Sequence, residues 1–206
     1  FDLMGLHDIK TMQEIEKAVH AINPKALIYG EGWTMGSTID GTPQANQQNI
    51  SKIEASEGAV GSVAVFNDVI RDGLKGSTFD RLAQGFISGA YGLNKRNIYF
   101  GIQGGEGTGV SWIVKDNMVI NYMSAHDNHS LWDKLSIANA GSSQEERAAM
   151  NRLGAAILMI SRGTPFFQAG EEMLRSKDGN ENSYNASDAV NNIRWELLTP
   201  DSNEYK

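Results

Sequence analysis

Short apolar stretches alternate with helical segments along most of this chain, and this alternation restricts the fold more than any other feature. The stretches at 26–29, 62–66 and 118–123 are rich in β-branched, aromatic and long aliphatic side chains, which is typical of buried strands. Apolar residues recur at helical spacing over 10–22, and 131–140 is also predicted to be helical. Strands that alternate with helices in this way predict parallel β/α units and an α/β fold.

The same patterns predict the remaining elements. A helix is expected to begin near Val69 and another to run over 78–88. A long helix over 143–161 is expected to open on a capping box between Ser143 and Glu146. A last strand is predicted at 166–170, and the segments predicted as loops are 34–49, 91–116 and 176–192. The positions predicted to face inward are Met12, Ile15, Ala18, Val19 and Ile22 in the first helix and Ala148, Leu153, Ile157 and Ile160 in the long one.

The number of units bears on the architecture. About four complete strand–helix units are visible, whereas a closed (β/α)8 barrel has eight strands. The chain is therefore predicted to be the second half of a TIM barrel, from about the end of strand 4 to strand 8, with residues 1–206 forming one partial catalytic domain and no second domain. Its start at Phe1 without an initiating methionine predicts a fragment of a larger chain. A doubly wound sheet is the alternative, because periodicity does not separate the two.

Composition excludes several classes of partner. The formal net charge is −7, whereas nucleic acids and anionic membranes are bound largely through Lys and Arg. Neither is predicted as a partner, and a neutral ligand fits better. The chain has no cysteine, which excludes disulfides and thiolate metal sites, and its four histidines form no zinc motif, so no metal site is predicted. No window has the roughly 18–20 apolar residues that a spanning helix needs.

Three acids share one setting. Asp2, Glu31 and Asp127 each follow a short apolar segment and precede a small or turn-forming residue. In an α/β barrel the carboxyl ends of the strands carry the chemistry, so the three side chains are expected to converge. Glycoside hydrolysis needs such convergence, because one carboxylate attacks the anomeric carbon while a protonated one delivers a proton to the departing oxygen. Taken singly, an acid after a strand is more often a cap, a turn residue or a solvated charge.

The residues around these acids resemble a known family. Phe1-Asp-Leu-Met-Gly-Leu-His7, Tyr29-Gly-Glu-Gly-Trp33 and Ser124-Ala-His-Asp-Asn128 resemble three ordered motifs of the α-amylase superfamily, glycoside hydrolase family 13. The likeness is closest to its type I pullulanases, and it extends to Gly170-Glu-Glu-Met-Leu-Arg-Ser-Lys177. Together these segments cover nearly the whole chain.

The resemblance implies a role for each acid. Asp2 corresponds to the nucleophile, Glu31 to the general acid/base and Asp127 to the third acid, which binds sugar hydroxyls and stabilises the transition state. An α-glucan is the implied substrate, and no cofactor is implied, although calcium remains possible in the full-length protein. The implied substrate-binding residues are His126, His7, Trp33 and Asn128.

The implied activity is retaining hydrolysis of α-1,6 linkages in pullulan, amylopectin or glycogen-derived dextrins. The earlier strands and motifs of the family's barrel are missing from this chain, so the fragment alone is expected to be inactive and to have the N-terminal half of the barrel as its partner. Three alternatives stay open: an isoamylase, an α-1,4-acting amylase and a non-catalytic glucan-binding module. The sequence does not indicate the localisation.

Overall fold

A computed structural model describes residues 1–38, 41–92, 94–104 and 110–198. These residues form two compact units. The first contains Phe1–Asn67, Phe100–Asn121 and Ser161–Pro165. The second contains Asp68–Tyr99, Tyr122–Ile160 and the chain from Phe166 onward. Among the described helices, none combines the length and the apolar character that a membrane crossing requires.

Strands and helices alternate as the sequence predicts. The elements in chain order are α1 (Ile9–Ile22), β1 (Ile28–Gly30), β2 (Val63–Asn67), α2 (Asp68–Lys75), α3 (Asn94–Ile102), β3 (Val119–Asn121), α4 (Leu131–Ala138), α5 (Gln144–Ile160), β4 (Thr164–Pro165) and α6 (Asp188–Asn191). Short 3-10 turns are Met4–Leu6, Ile50–Lys52, Phe86–Ser88, Asp116–Met118, Glu171–Met173 and Trp195–Leu198.

The four strands found among the described residues belong to the first unit and form one parallel sheet in the order β1-β2-β3-β4. Tyr29 pairs with Ala64, Phe66 with Ile120, and Ile120 with Thr164. Neighbours in the sheet are therefore neighbours in sequence, which is the order of a singly wound barrel segment. The predicted α/β fold with a parallel sheet is confirmed.

The hydrophobic core of the first unit joins α1 to one face of the sheet. Met12 from α1, Ile28 from β1 and Val63 and Val65 from β2 are all buried in this cluster, together with Met4. Because alternate residues of a strand point to opposite faces, Val63 and Val65 lie on one face and Ala64 and Phe66 on the other. The apolar positions of α1 and β2 thus fix how this helix lies on the sheet.

Helix α1 contains a buried ion pair. Glu16 and His20 are buried one turn apart, with His20 Nδ1 2.7 Å from Glu16 Oε1 and His20 Nε2 3.0 Å from the Ala26 carbonyl oxygen. Glu16 also accepts hydrogen bonds from the backbone N–H and hydroxyl of Ser56. Both ring nitrogens face acceptors, so the geometry favours the doubly protonated imidazolium. The sequence pattern assigned Glu16 to the solvent face, and that assignment is wrong.

In the second unit, α5 approaches the segment after β3 very closely. A Cβ atom built on Gly154 would lie 2.3 Å from Met123 Sδ, so a larger residue would force the two apart. The buried residues of α5 are Asn151, Gly154, Ile157 and Leu158. The predicted inward face was wrong for Leu153 and Ile160, which are exposed, because Gly154 and Asn151 take the close-packed positions.

The capping box of α5 is confirmed. Ser143 N–H donates to Glu146 Oε2 at 2.7 Å, and Glu146 N–H donates to Ser143 Oγ at 3.1 Å. We expect Ser143→Ala to lower the free energy of unfolding by about 1 kcal/mol, because an orphan N–H of the first turn loses its acceptor. Urea denaturation measures this, with Ser142→Ala as the control outside the box. Equal stability of the two variants would contradict the prediction.

The helix predicted over 78–88 is absent, and only the 3-10 turn Phe86–Ser88 forms in that segment. Side chains hold this part of the chain instead. Thr78 donates to Asp72 Oδ1 through its backbone N–H and its hydroxyl, and Lys134 Nζ donates to the Ser77 carbonyl at 3.1 Å. These bonds hold the chain at Ser77 and Thr78, at the start of a turn rather than in a helix.

Two further boundaries differ from the prediction. Helix α3 lies inside the segment predicted as a loop, of which residues 105–109 fall outside the described residues. The last strand is β4 rather than 166–170. Gly163 turns the chain with a φ of 100°, and Thr164 pairs with Ile120 immediately afterwards. The aromatic pair Phe166-Phe167 suggested a strand, but the strand forms immediately before it, directly after the turn at Gly163.

Candidate active site

The N-terminal residues lie alongside β1. The Phe1 amino group donates to the Tyr29 carbonyl at 2.7 Å, and Glu31 N–H donates to the Phe1 carbonyl at 3.0 Å. Phe1 thus bonds to both neighbours of Gly30, Tyr29 and Glu31, which is the pattern of two parallel strands. Asp2 therefore follows a paired residue at the carboxyl end of the sheet, just as Glu31 follows β1.

Glycines allow this close approach of backbones. A Cβ atom on Gly30 would lie 2.4 Å from the Phe1 carbonyl oxygen, and one on Gly5 would lie 1.9 Å from the Trp33 carbonyl oxygen. Gly5 N–H also donates to the Glu31 carbonyl at 2.9 Å. A side chain at either glycine would push the segment that carries Asp2 away from β1.

Asp2 and Glu31 are neighbours. One carboxylate oxygen of Asp2 and one of Glu31 lie within 4.8 Å of each other. Glu31 is 7% exposed and its Oε2 accepts a hydrogen bond from Leu3 N–H at 2.8 Å, whereas Asp2 is exposed. Leu3 adopts the left-handed conformation, with a φ of 53°. A retaining glycosidase requires two neighbouring carboxyl groups, which in such enzymes lie about 5–5.5 Å apart.

His7 and Trp33 belong to the same unit as this pair. His7 is exposed and makes an edge contact with the Phe1 ring, whose centroid is 6.3 Å away. Trp33 is half-buried and stacks on the Phe66 ring at 6.4 Å and 11°. Gln47 fixes the segment, because its N–H donates to the Gly32 carbonyl at 2.7 Å. The Phe66 ring and the hydrogen bond at Gly32 thus hold the Trp33 indole in its orientation.

The other predicted site residues belong to the second unit. His126 and Asp127 are each 68% exposed in their side chains, with His126 Nε2 3.8 Å from Asp127 Oδ1. Asn128 is left-handed, with a φ of 63°, a conformation that Asn tolerates better than most residues. The His126 carbonyl accepts a hydrogen bond from Lys177 Nζ at 2.7 Å.

The two groups are thus assembled separately. The first unit brings Asp2 together with Glu31, and the second unit brings His126 together with Asp127 and Asn128. The convergence of all three acids stays a prediction, as do their individual roles. Within either unit taken by itself, the described residues form no group of three carboxylate or imidazole ligands that could hold a metal ion.

The second unit contains buried polar groups whose burial is not apparent from the sequence. Ser124 Oγ donates to Glu171 Oε2 at 2.6 Å, and Glu171 Oε1 is buried without a hydrogen-bond partner among the described residues. Burial raises the pKa of Glu171 to about 7, and the Ser124 hydrogen bond and the nearby Lys75 only partly oppose it. Burial likewise lowers the pKa of Lys75 to about 7. Their burial depends on contacts between segments that are far apart in the sequence, such as Ser124 and Glu171.

Tyr122 is part of the same buried layer. Its hydroxyl accepts a hydrogen bond from Arg71 Nη1 at 2.9 Å, and Arg71 also pairs with Asp72 at 2.7 Å. Burial raises the pKa of Tyr122 to about 12, although the Arg71 charge opposes the shift. The phenol therefore keeps its proton at neutral pH.

Several known pullulanases match this chain. No family model matches the sequence. The pullulanase of Bacillus subtilis (strain 168) is 35% identical over 198 residues, which cover 95% of this chain and 26% of that protein. The crystal structure of the Paenibacillus barengoltzii pullulanase in complex with maltohexaose and alpha-cyclodextrin is 41% identical, with a TM-score of 0.87 over 96% of this chain and 30% of that one. The chain is a relative of the pullulanases.

Pullulanases are glycoside hydrolases, and the chain corresponds to a part of them. It spans only 26% to 30% of the length of the two relatives above. The isoamylase of Pseudomonas amyloderamosa is 38% identical, but over 74 residues, which cover 36% of this chain and 9% of that protein. The likeness to pullulanases therefore extends along the chain, whereas the likeness to this isoamylase is confined to about a third of it.

Proposed function

We propose that this chain is the second half of the catalytic (β/α)8 barrel of a pullulanase-type enzyme. The parent protein, meaning the full polypeptide that contains these residues, hydrolyses α-1,6-glucosidic linkages in pullulan, amylopectin or glycogen-derived dextrins. The observation that carries the proposal is the approach of Asp2 and Glu31 to within 4.8 Å at the carboxyl end of a parallel sheet. The relationship to pullulanases supports the choice of linkage.

The proposed reaction has two steps. In the first, the Asp2 carboxylate attacks the anomeric carbon and forms a glycosyl ester, while Glu31 donates its proton to the departing glycosidic oxygen. In the second, the Glu31 carboxylate removes a proton from water, and the resulting hydroxyl displaces Asp2 from the same carbon. Two inversions at one carbon retain the α configuration.

The residues of the second unit are proposed to bind the sugar that is attacked. Asp127 accepts hydrogen bonds from sugar hydroxyls, and these strengthen as positive charge develops on the ring. His126 and Asn128 bind the same sugar, and the side chains of His126 and Asp127 are each 68% exposed. In the first unit, Trp33 presents an aromatic face and His7 an imidazole.

The proposal requires no cofactor, and it leaves calcium in the parent protein open. It involves neither nucleic acid nor membrane, and the α-glucan is the partner besides the N-terminal half of the barrel. The 206 residues alone are proposed to be inactive, because a half-barrel exposes strand edges and lacks the residues of the other half.

Product analysis tests the proposal. The parent protein is incubated separately with pullulan and with linear amylose, and the released sugars are separated by chromatography. We expect maltotriose from pullulan and no shortening of amylose, with the α-anomer formed first in a proton NMR time course. Shortening of amylose would indicate an α-1,4-acting amylase. Binding of pullulan without any turnover would overturn the proposed activity in favour of a glucan-binding module.

A further inference from the structure

Lys177 is a buried cation that the assigned site residues do not include. It is 2% exposed, yet its Nζ donates to the His126 carbonyl oxygen at 2.7 Å. Burial of an ammonium group is costly unless the group is paired or hydrogen-bonded. Here the ammonium group donates to a backbone carbonyl of the loop that carries Asp127.

A buried acid holds the backbone of Lys177 in place. Asp133, in the first turn of α4, is 5% exposed. Its Oδ2 accepts the Lys177 N–H at 2.7 Å and its Oδ1 accepts the Ser176 hydroxyl at 2.5 Å. The Asp133 N–H in turn donates to Ser130 Oγ at 3.2 Å, which caps the helix. A continuous series of hydrogen bonds therefore leads from the start of α4 to the His126 carbonyl.

The charge of Lys177 also acts on the loop. Burial lowers the pKa of Lys177 and Arg175 lowers it further, while the carboxylates of Asp127 and Asp133 raise it in opposition. The ammonium is thus within electrostatic reach of Asp127 as well as in contact with His126. Asn128, in the same loop, has a left-handed backbone with a φ of 63°.

We propose that Lys177, anchored by Asp133, is a positioning residue that fixes the His126–Asn128 loop through its hydrogen bond to the His126 carbonyl. The inference rests on the proposed function for the roles of His126 and Asp127. It adds a group that touches no substrate and acts through the residues that do.

The test uses the parent protein with Lys177→Met, which removes the ammonium but keeps the length of the side chain. We expect hydrogen–deuterium exchange in the peptide covering 124–129 to become about tenfold faster. We expect kcat on pullulan to fall by about 10²-fold with KM changed much less, because a displaced catalytic loop binds substrate but fails in the transition state. Lys177→Arg keeps the charge and a donor, and its kcat is expected to be at least tenfold higher than that of Lys177→Met. Lys95→Met, at an exposed position of α3, is the control.

Unchanged exchange in Lys177→Met, or faster exchange with unchanged kcat, would overturn the inference. If the parent protein hydrolyses no glucan, the proposed function fails, while the exchange experiment still decides whether Lys177 holds the loop. If Lys177→Met does not fold, Asp133→Asn replaces it, since asparagine keeps one of the two acceptor oxygens. Faster exchange over 124–129 is then expected again, and normal exchange would contradict the anchoring role.

Discussion

Replacing Asp2 by asparagine is expected to lower kcat of the parent protein on pullulan by about 10⁴-fold or more, because an amide cannot form the glycosyl ester. Glu31→Gln is expected to lower kcat by about 10²- to 10⁴-fold, which is the usual contribution of a general acid. Asp127→Asn is expected to lower kcat more than it raises KM. Reducing-sugar release measures all three.

Two additional measurements separate these roles. A substrate with a leaving group that needs no proton, such as an α-glucosyl fluoride, is expected to restore formation of the intermediate in Glu31→Gln but not in Asp2→Asn. Asp188→Asn and Glu14→Gln, both at exposed helical positions, are the matched controls and are expected to retain full activity. An active Asp2→Asn variant would remove its assignment as the nucleophile.

The second large effect concerns stability. Glu16→Leu is expected to lower the free energy of unfolding by about 3 kcal/mol, because it leaves the buried His20 imidazole and the half-buried Ser56 N–H without their shared acceptor. Removing both partners in Glu16→Leu/His20→Leu is expected to cost less than Glu16→Leu alone, since no unpaired group then remains. Glu14→Leu, on the exposed face of α1, controls for the change in side chain. Chemical denaturation of the three variants decides the matter.

The same pair predicts a pH dependence. Burial lowers the pKa of His20, but the Ala26 carbonyl and Glu16 outweigh it, so the pKa is raised above its ordinary value of 6.5. Its contribution is complete below about pH 6.5 and is lost as pH rises through the folded-state pKa. Burial raises the pKa of Glu16, but the hydrogen bonds from Ser56 and His20 outweigh it, so the pKa lies below 4.5. Its contribution is present above about pH 4.5 and is lost at lower pH.

The stability difference between the wild type and Glu16→Leu is therefore expected to be greatest between about pH 4.5 and 6.5 and to shrink on both sides of that window. Denaturation at several pH values measures it. A difference that grows steadily above pH 7 would show that His20 is neutral in the folded protein.

The elements with strong periodicity were predictable from the sequence. Helix α1 was predicted as 10–22 and is Ile9–Ile22, and β2 was predicted as 62–66 and is Val63–Asn67. The capping box at Ser143 was equally clear, because all its bonds lie within four consecutive residues. The segment 78–88 was not predictable, since its turn is set by Asp72 and Lys134, which lie outside it.

The placement of acids was only partly predictable. Their order after short apolar stretches pointed to Asp2 and Glu31 as strand-end carboxylates, and the resemblance named their roles. Their approach to within 4.8 Å depends on the pairing of Phe1 with β1, which brings together residues almost thirty positions apart. No local pattern reports that distance.

What this sequence determined by itself is the alternation of strands and helices, the parallel α/β class and the ordered motifs around Asp2, Glu31 and Asp127, because these depend on the spacing of neighbouring residues. The tertiary structure alone decided which charged residues are buried. Glu16, Glu171 and Lys177 look like ordinary surface residues in the sequence, and each becomes a buried contact because its hydrogen-bond partner comes from a distant segment of the chain. Burial of a charge is tolerated only where such a partner is supplied, and the fold supplies it.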